Sequence, residues 1–512
     1  MSGDNQPIET EIKLHFLPEA RPLLGRHPAF GSPQASEADE REEVTTYFDT
    51  PELALSRLGI SLRVRRIGLR YVQTVKIMGN DHGAAKSRGE WEWAIANDAP
   101  DFVRLAETPV SSVLRPADRA ALQPVFTTRI YRTIRQLRLE AGTLAEIALD
   151  EGSIIAGRAS EPISELELEL KAGRLGPLYR LALDLAVALP LTIEVASKAE
   201  RGCRLLTGRT PRASKPPDVS VSVDASAAEA FGRIVASVVG HMLANVPAAQ
   251  LADAEGVHQL RVAIRRIRAA LVLFKPLLHP ETTRRYNAEL RRIGQVFGEA
   301  RDWDVFVLET LPAAATDVPV PGWLDLERET AEAKRIAAHC VVQDELRSTA
   351  FTRLILSIAG WIEDGVHAPA VLGNGEMGQA IVDIAPALLD NMAHKVAKRG
   401  YALDDASPEE LHAFRKSVKK LRYAVEFLSA LYPPNEVKAY VDACKELQEL
   451  LGKINDAAMT PMLAARLSEG EHADLAPAIG SLAAWSGKRG KMAWHRLPKV
   501  WHAVRRTEQF WS

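Results

Sequence analysis

Ile8-Glu-Thr-Glu-Ile-Lys-Leu14 is the stretch on which the reading of this chain turns. On an extended strand Glu9, Glu11 and Lys13 point from one face, while Ile8, Ile12 and Leu14 occupy the other with Thr10 as the one polar interruption. The strand has an apolar back and a charged front. That front faces either solvent, as on an ordinary antiparallel sheet, or an interior shared with other charged strands.

The same alternation recurs downstream. Arg63 and Arg65 share a face against Leu62 and Val64, and Lys76 joins Thr74. Glu90 and Glu92 alternate with Trp91, Trp93 and Ile95; Glu165, Glu167 and Glu169 alternate with Leu166, Leu168 and Leu170; Asp150 ends a strand near Ala145 to Leu149. Whole strands are acidic and others basic, whereas solvated faces usually mix charges with Ser and Thr. Carboxylates gathered on one inward face repel and raise one another's pKa unless a cation neutralises them. Hard oxygen ligands suit Mg²⁺ or Mn²⁺. The basic strands then have a polyanion of several phosphates as their natural guest.

Composition limits the alternatives. The chain has 512 residues, 46% hydrophobic and 25% charged, which is enough for two or more domains with full cores. Its net charge of −2 means that any attraction to polyanions comes from local clustering. Cys203, Cys340 and Cys444 are odd in number and widely spaced, which fits neither a disulfide framework nor a thiolate metal site and points to a reducing cytoplasm. The most apolar long stretch, Leu178 to Ala196, is broken by Arg180, Asp184, Pro190 and Glu194, so neither export nor membrane spanning is expected.

Periodicity divides the chain. Residues 1–206 follow a period of two with turn residues between runs, residues 207–222 read as a Pro/Ser-rich linker, and residues 223–512 follow helical spacing. The helical half contains a repeat. Val257-His-Gln-Leu-Arg-Val-Ala-Ile-Arg-Arg-Ile-Arg268 matches Leu411-His-Ala-Phe-Arg-Lys-Ser-Val-Lys-Lys-Leu-Arg422 at an offset of 154, and the same offset carries Gly298 onto Gly452 and Asp302 onto Asp456. One offset shared by two segments predicts duplication of a unit of several helices, about 223–375 and 376–512.

The charged strands resemble a known family. Glu9-x-Glu11-x-Lys13, Tyr47-Phe-Asp-Thr50, Arg63-x-Arg65, Thr74-Val-Lys76, Arg88-Gly-Glu-x-Glu92, Glu165-x-Glu167-x-Glu169 and Ser197-Lys-Ala-Glu-Arg-Gly202 stand in the order seen in CYTH domains. These triphosphate tunnel metalloenzymes include class IV adenylate cyclases, thiamine triphosphatases and inorganic triphosphatases. The resemblance implies an eight-stranded antiparallel barrel around a charged tunnel. It implies Glu9, Glu11, Glu165 and Glu167 as ligands of a divalent metal, with Asp150, Glu90, Glu92 and Glu169 behind them. Lys13, Arg63, Arg65, Lys76 and Lys198 are implied as phosphate grips, joined by an arginine from the strand around Phe126 to Glu140, where Arg132 fits best and Arg129 points from the opposite face. Glu9, Glu11, Lys13, Lys76 and Arg132 carry the catalytic expectation, which is hydrolysis of triphosphate to pyrophosphate and phosphate. Trp91 and Trp93, opposite in parity to Glu90 and Glu92, read as core and not as a base-stacking pocket, which favours an inorganic substrate.

In the helical half, His258, Arg261, Arg265 and Arg268 fall within an arc of about 80°, opposite Leu260, Ile264, Ile267, Leu271 and Phe274. His412, Arg415, Lys419 and Arg422 repeat the stripe, and Arg266, Lys416 and Lys420 widen it. Val257 to Lys275 holds five Lys or Arg and no Asp or Glu, so helical pairing does not neutralise the face. This half resembles the CHAD domain, carried by the two His-x-x-Arg helices and by Phe297-Gly-Glu-Ala-Arg-Asp-Trp-Asp304 and Leu451-Gly-Lys-Ile-Asn-Asp456. The resemblance implies two four-helix units and binding of inorganic polyphosphate by the basic residues named. Lys419, Lys420 and Asn455 replace Arg265, Arg266 and Arg301 in the second copy, which predicts a stronger contribution from the first.

The expectation is therefore an α+β chain: a cytoplasmic, Mg²⁺- or Mn²⁺-dependent inorganic triphosphatase, with polyphosphate granules as a further location. Competing readings are a non-catalytic polyphosphate-binding protein and an adenylate cyclase or organic triphosphatase. Nucleic acid is disfavoured, because the basic helices carry few interleaved aromatics.

Overall fold

A computed structural model describes residues 8–32, 34–317, 323–401, 403, 406–467 and 476–511. The chain divides into two compact units, Met1–Arg212 with Leu346–Glu363, and Ala213–Glu345 with Asp364–Ser512.

The first unit is built on nine strands: β1 (Ile8–Phe16), β2 (Asp39–Asp49), β3 (Ile60–Ile67), β4 (Arg70–His82), β5 (Ala85–Ile95), β6 (Gln123–Arg138), β7 (Leu144–Ala156), β8 (Ala159–Ala172) and β9 (Leu191–Ile193). Their order is β5-β4-β3-β2-β6-β7-β8-β1-β9, and β1 also pairs with β5, which closes eight strands into an antiparallel barrel. The short β9 takes the edge of β1 over Leu14–Phe16, beyond the Ile8–Glu11 stretch that β5 covers. Closure removes the free edges and gives each strand one face toward the lumen.

The apolar faces of β1, β3 and β4 point outward, whereas Tyr47, Phe126 and Ile130 share the inward face with the charged residues and line the cavity. Ile12, Leu14 and Phe16 are fully buried, and helix α1 (Gly176–Ala188) packs across β1 and β8. Around β3 and β4, Leu62, Val64 and Val75 form a core with Leu105, Val110 and Leu114 from short helical turns, and Trp91 and Trp93 pack against it. Helix α2 (Lys198–Thr207) starts on a capping box in which the Ser197 hydroxyl accepts from Glu200 N and the Glu200 carboxylate accepts from Ser197 N. Its residues Ala199, Cys203 and Leu205 pack on a cluster of Tyr47, Phe126, Ile130, Ile154 and Ile163. Gly202 is required there, since a Cβ would lie 2.1 Å from Phe126 Cε2.

The second unit repeats four helices. Helices α3 (Ala227–Ala249), α4 (Ala254–Leu273), α5 (Pro280–Val305) and α6 (Trp323–Leu346) precede α7 (Thr349–His367), and then come α8 (Ile381–Arg399), α9 (Pro408–Leu428), α10 (Pro434–Ala465) and α11 (Ala476–Arg506). The starts of α8, α9 and α10 each follow those of α3, α4 and α5 by 154 residues, the offset of the sequence repeat. Among the described residues helix α7 has no counterpart in the second copy. Most of it, within Leu346–Glu363, belongs to the barrel unit, where a Cβ on Gly360 would lie 3.2 Å from Tyr179 Cβ on α1. By length and hydropathy α3 is the one described helix able to cross a membrane, and Phe231, Ile234, Val238 and Val239 on it are buried in the protein. Residues 209–222 form neither helix nor strand, yet Val219 and Val221 are buried and Asn245 Nδ2 donates to Ser214 O at 3.0 Å.

Candidate functional site

Alternation places the charges. Because successive side chains switch faces, burying Ile12 and Leu14 outside turns Glu9, Glu11 and Lys13 inward. They line one cavity of about 920 Å³ together with Arg63, Arg65, Lys76, Glu90, Glu92, Arg132, Glu167, Glu169 and Lys198. Arg129, on the other face of β6, is exposed. Asp150 and Glu165 are fully buried beneath the lining.

Register then sorts the charges into two layers. Between β7 and β8, Asp150 stands opposite Glu165 and Glu146 opposite Glu169; between β1 and β8, Lys13 stands opposite Glu167 and Glu11 opposite Glu169. Like charges directly opposite are unfavourable unless compensated.

The layer at Asp150 is compensated. Arg132 donates from Nε to Asp150 Oδ1 at 2.6 Å and from Nη2 to Asp150 Oδ2 at 2.5 Å and Glu167 Oε2 at 2.7 Å. Lys13 Nζ lies 3.0 Å from Glu167 Oε1, and Arg201 binds Glu165 and, at 2.6 Å, Glu161. Burial alone would raise the Asp150 and Glu167 carboxyls, but Arg132 and Lys198 around Asp150, and Lys198, Lys13 and Arg132 around Glu167, hold both below the usual carboxylate range.

The layer at Glu169 is compensated less closely, with Arg88 Nη1 and Lys13 Nζ each 3.7 Å from Glu11 Oε1. Gln136 Nε2 donates to Glu146 Oε2 at 2.6 Å, Lys171 Nζ reaches Glu169 Oε1 at 2.6 Å, and Lys76 binds Glu9. Burial, with Glu9 and Glu146 nearby, nevertheless pushes the Glu169 carboxyl up to about 7 against the opposing pull of Lys171. An acidic group raised in this way fits a cation ligand, and Glu9, Glu11, Glu146 and Glu169 are the carboxylates that face the cavity there.

The basic strands complete the lining. Tyr47 and Glu90 raise Arg63 above its ordinary value despite burial, and Glu90 Oε1 lies 3.7 Å from its Nη2. Arg65 is buried with its Nε 3.5 Å from Glu43. Burial and the charge of Arg63 lower its pKa against the opposing pull of Glu43.

Helices α4 and α9 pack together and bring the two basic stripes into one unit. Arg261 Nη1 donates to Asp302 Oδ1 at 2.8 Å, and at the equivalent place Arg415 Nη1 donates to Asn455 Oδ1 at 3.2 Å. Burial, then Arg261 and Arg415, push Arg265 down to about 10. Burial, then Arg265, Arg415 and Arg261, push Lys419 down to about 6. Burial and Arg301 lower His258 to about 4, and burial and Lys416 lower His412. Burial and mutual repulsion thus lower the proton affinity of every one of these groups. Arg266 is turned away into the helix packing, 5.1 Å over Phe427 and 3.6 Å from Glu426. Arg268 and Arg422 are held by Asn287 and Gln448 at 2.9 Å, Lys416 is exposed, and Lys420 is half-buried.

Residues 7–203 match the CYTH domain family and residues 233–465 the CHAD domain family. The chain joins a CYTH domain to a CHAD domain. An inorganic triphosphatase of Haemophilus influenzae is 32% identical over 163 residues, 31% of this chain and 44% of that protein, so the match spans less than half of that relative's length. An uncharacterized protein of Mycobacterium tuberculosis is 26% identical over 447 residues, 81% of this chain and 80% of its own. The crystal structure of the CHAD domain from the plant Ricinus communis is 25% identical, covers 58% of this chain and 98% of that domain, and superimposes with a TM-score of 0.51.

Several residues of the CYTH site escape a reading by motif. Glu43 is buried between Arg41, at 2.8 Å, and Arg65, and Glu146 and Lys171 lie at the Glu169 layer; Arg201, which stands inside the Ser197-to-Gly202 motif without a role assigned from it, clamps Glu165. Glu43 and Glu146 share parity with Tyr47 and Asp150, so alternation along β2 and β7 reaches them. Asp49, inside the Tyr47-Phe-Asp-Thr50 motif, is structural: its carboxylate accepts from Thr50 N, Leu55 N and Ser56 N at 2.8 to 2.9 Å.

Proposed function

We propose that the CYTH domain hydrolyses inorganic triphosphate to pyrophosphate and phosphate with a divalent metal, and that the CHAD domain binds inorganic polyphosphate. The observation that carries the first reading is the facing of a less closely compensated acidic layer by Arg63, Arg65 and Lys76 within one cavity. The similarity to the Haemophilus influenzae inorganic triphosphatase supports it. Glu9, Glu11 and Glu169 would hold Mg²⁺ or Mn²⁺, which supplies charge neutralisation at phosphate oxygens and an acidified water. Arg63, Arg65 and Lys76 bind the outer phosphates and stabilise the charge that develops on the pyrophosphate leaving group. Lys13 and Arg132 fix the layer from which those carboxylates project.

Trp91 and Trp93 pack against the core of Leu62, Val64 and Val75 and also border the cavity, so the preference for an inorganic substrate rests on the similarity to the Haemophilus influenzae inorganic triphosphatase. A purely anion-binding barrel has no need of the Glu9, Glu11 and Glu169 set. The polyphosphate reading rests on the mutual repulsion of Arg265 and Lys419 with Arg261 and Arg415. A cytoplasmic protein, at polyphosphate granules where these form, is the corresponding location.

The test is phosphate release from triphosphate, long-chain polyphosphate, ATP and thiamine triphosphate, each with Mg²⁺ and Mn²⁺. Triphosphate is expected to be turned over fastest, and Glu11→Gln to abolish that turnover with an unchanged melting temperature. Full activity in Glu11→Gln would remove the catalytic assignment.

A further inference from the structure

Glu43 stands among arginines. It lines the cavity from the inward face of β2, next to Arg41 on its own strand, and the strands on either side bring Arg65 from β3 and Arg132 from β6. Arg41 Nε donates to Glu43 Oε1 at 2.8 Å, while Glu43 Oε2 lies 3.5 Å from Arg65 Nε and 3.9 Å from Arg132 Nε. One carboxylate, 2% exposed, thus meets three guanidinia. Burial alone would raise its pKa, but Arg65, Arg132 and Arg41 hold it below the usual carboxylate range, so Glu43 is an anion at neutral pH.

The three arginines differ in what else they bind. Arg132 is committed to Asp150 and Glu167, and Arg41 Nη1 lies 3.0 Å from Asp39 Oδ2. Arg65 has no such second partner. Among the described residues Glu43 is the one carboxylate paired with it, and 3.5 Å is too long for a hydrogen bond, so Arg65 Nε is buried without an acceptor. Arg63 Nε, on the same face of β3, is in the same condition. A buried donor left unpaired is costly, and a phosphate oxygen satisfies it.

A phosphate on Arg65 would share that guanidinium with Glu43. Two anions so placed repel, and more strongly for having little water between them. Binding that is equally strong for substrate and transition state lowers KM without speeding the chemical step, and the same guanidinia also hold the pyrophosphate left behind. A fixed carboxylate beside them weakens both holds.

We propose that Glu43 is the internal counter-anion of the tunnel, a positioning residue that steadies Arg65 against Arg63 and Arg132 and limits how tightly the arginines keep triphosphate and the pyrophosphate product. The part concerning product rests on the reading of the barrel as a triphosphatase; the counter-anion role in anion binding does not.

The experiment measures KM and kcat for triphosphate, inhibition by pyrophosphate, and the rise in melting temperature that triphosphate produces in EDTA, for the full chain and two variants. Glu43→Gln removes the charge and keeps the size. It is expected to melt lower when empty, to lower KM and the pyrophosphate inhibition constant each about tenfold, to lower kcat as product release slows, and to gain more melting temperature from triphosphate than the wild type does. Glu43→Asp keeps the charge on a shorter side chain, further from Arg65 and Arg132, and is expected to fall between the two. A carboxylate that only holds the strands together would leave KM unchanged or raise it, and either result in Glu43→Gln overturns the proposal. Should Glu43→Gln not fold, a KM at or above the wild-type value in Glu43→Asp overturns it instead. A wild type that triphosphate stabilises but that does not hydrolyse it would remove the triphosphatase reading, and the melting temperatures would then decide the counter-anion role alone.

Discussion

Arg132 grips Asp150 with two parallel hydrogen bonds across neighbouring strands, Nε to Oδ1 at 2.6 Å and Nη2 to Oδ2 at 2.5 Å. Only a planar guanidinium can supply that fork while its Nη2 also reaches Glu167. Arg132→Lys keeps the charge and loses the geometry. The expected outcome is a loss of about 1–3 kcal/mol of stability in urea unfolding, with a fall in triphosphate turnover. Wild-type values for both would show that charge alone is what Asp150 needs.

Gly202 stands where a Cβ would fall 2.1 Å from Phe126 Cε2. Gly202→Ala forces either α2 or the Phe126 ring to move, at a cost of about 1–3 kcal/mol. Shrinking the ring relieves the overlap, so the double variant Gly202→Ala, Phe126→Leu is expected to be more stable than the two single losses sum to. Strict additivity in denaturant unfolding would count against direct contact.

Arg261 and Arg415 sit at equivalent places on α4 and α9 and each lowers the pKa of Lys419. Replacing both by Ala is expected to weaken long-chain polyphosphate binding at least tenfold, about 1.4 kcal/mol, and to flatten its salt dependence, because fewer counterions are displaced. Triphosphate turnover is the control and is expected to stay near the wild-type rate. Equal salt slopes for variant and wild type would exclude these guanidinia from the anion site.

Lys419 carries a pH signature. Burial and the neighbouring cations bring its pKa from 10.5 to about 6. The sign follows: the folded chain holds the proton less tightly than the unfolded chain, so the stability linked to Lys419 is present above pH 10.5 and is lost as pH falls towards and through about 6. A bound polyanion restores the charge, so polyphosphate binding takes up protons near neutral pH and tightens as pH falls. Calorimetry in two buffers of different ionisation enthalpy measures that uptake, which Lys419→Met is expected to reduce. Identical uptake in the two proteins would assign the protons elsewhere.

Much of the site was legible before any coordinates. The charged strands state their own parity, and because the lumen of a closed barrel collects one parity from every strand, Glu9, Glu11, Lys13, Arg63, Arg65, Lys76 and Arg132 could be assembled by counting in twos. Between Arg132 and Arg129 the sequence left the choice open, and the structure puts Arg132 on the cavity and Arg129 on the exposed face of β6. The duplication was equally open, since the offset that aligns His258 with His412 also aligns the starts of α4 and α9.

Parity says which face a side chain takes, and register says which charges meet on it. Register is a property of paired strands, set by closure and hydrogen bonding between residues far apart in sequence. Only the tertiary structure therefore decides that Glu169 stands against Glu146 with Lys171 as its counter-charge, whereas Glu165 and Asp150 are buried under Arg132, Arg201 and Lys198. Alternation determined that this chain has a charged interior. Long-range pairing, which no local pattern encodes, decided which carboxylates in it meet several cations and which meet one.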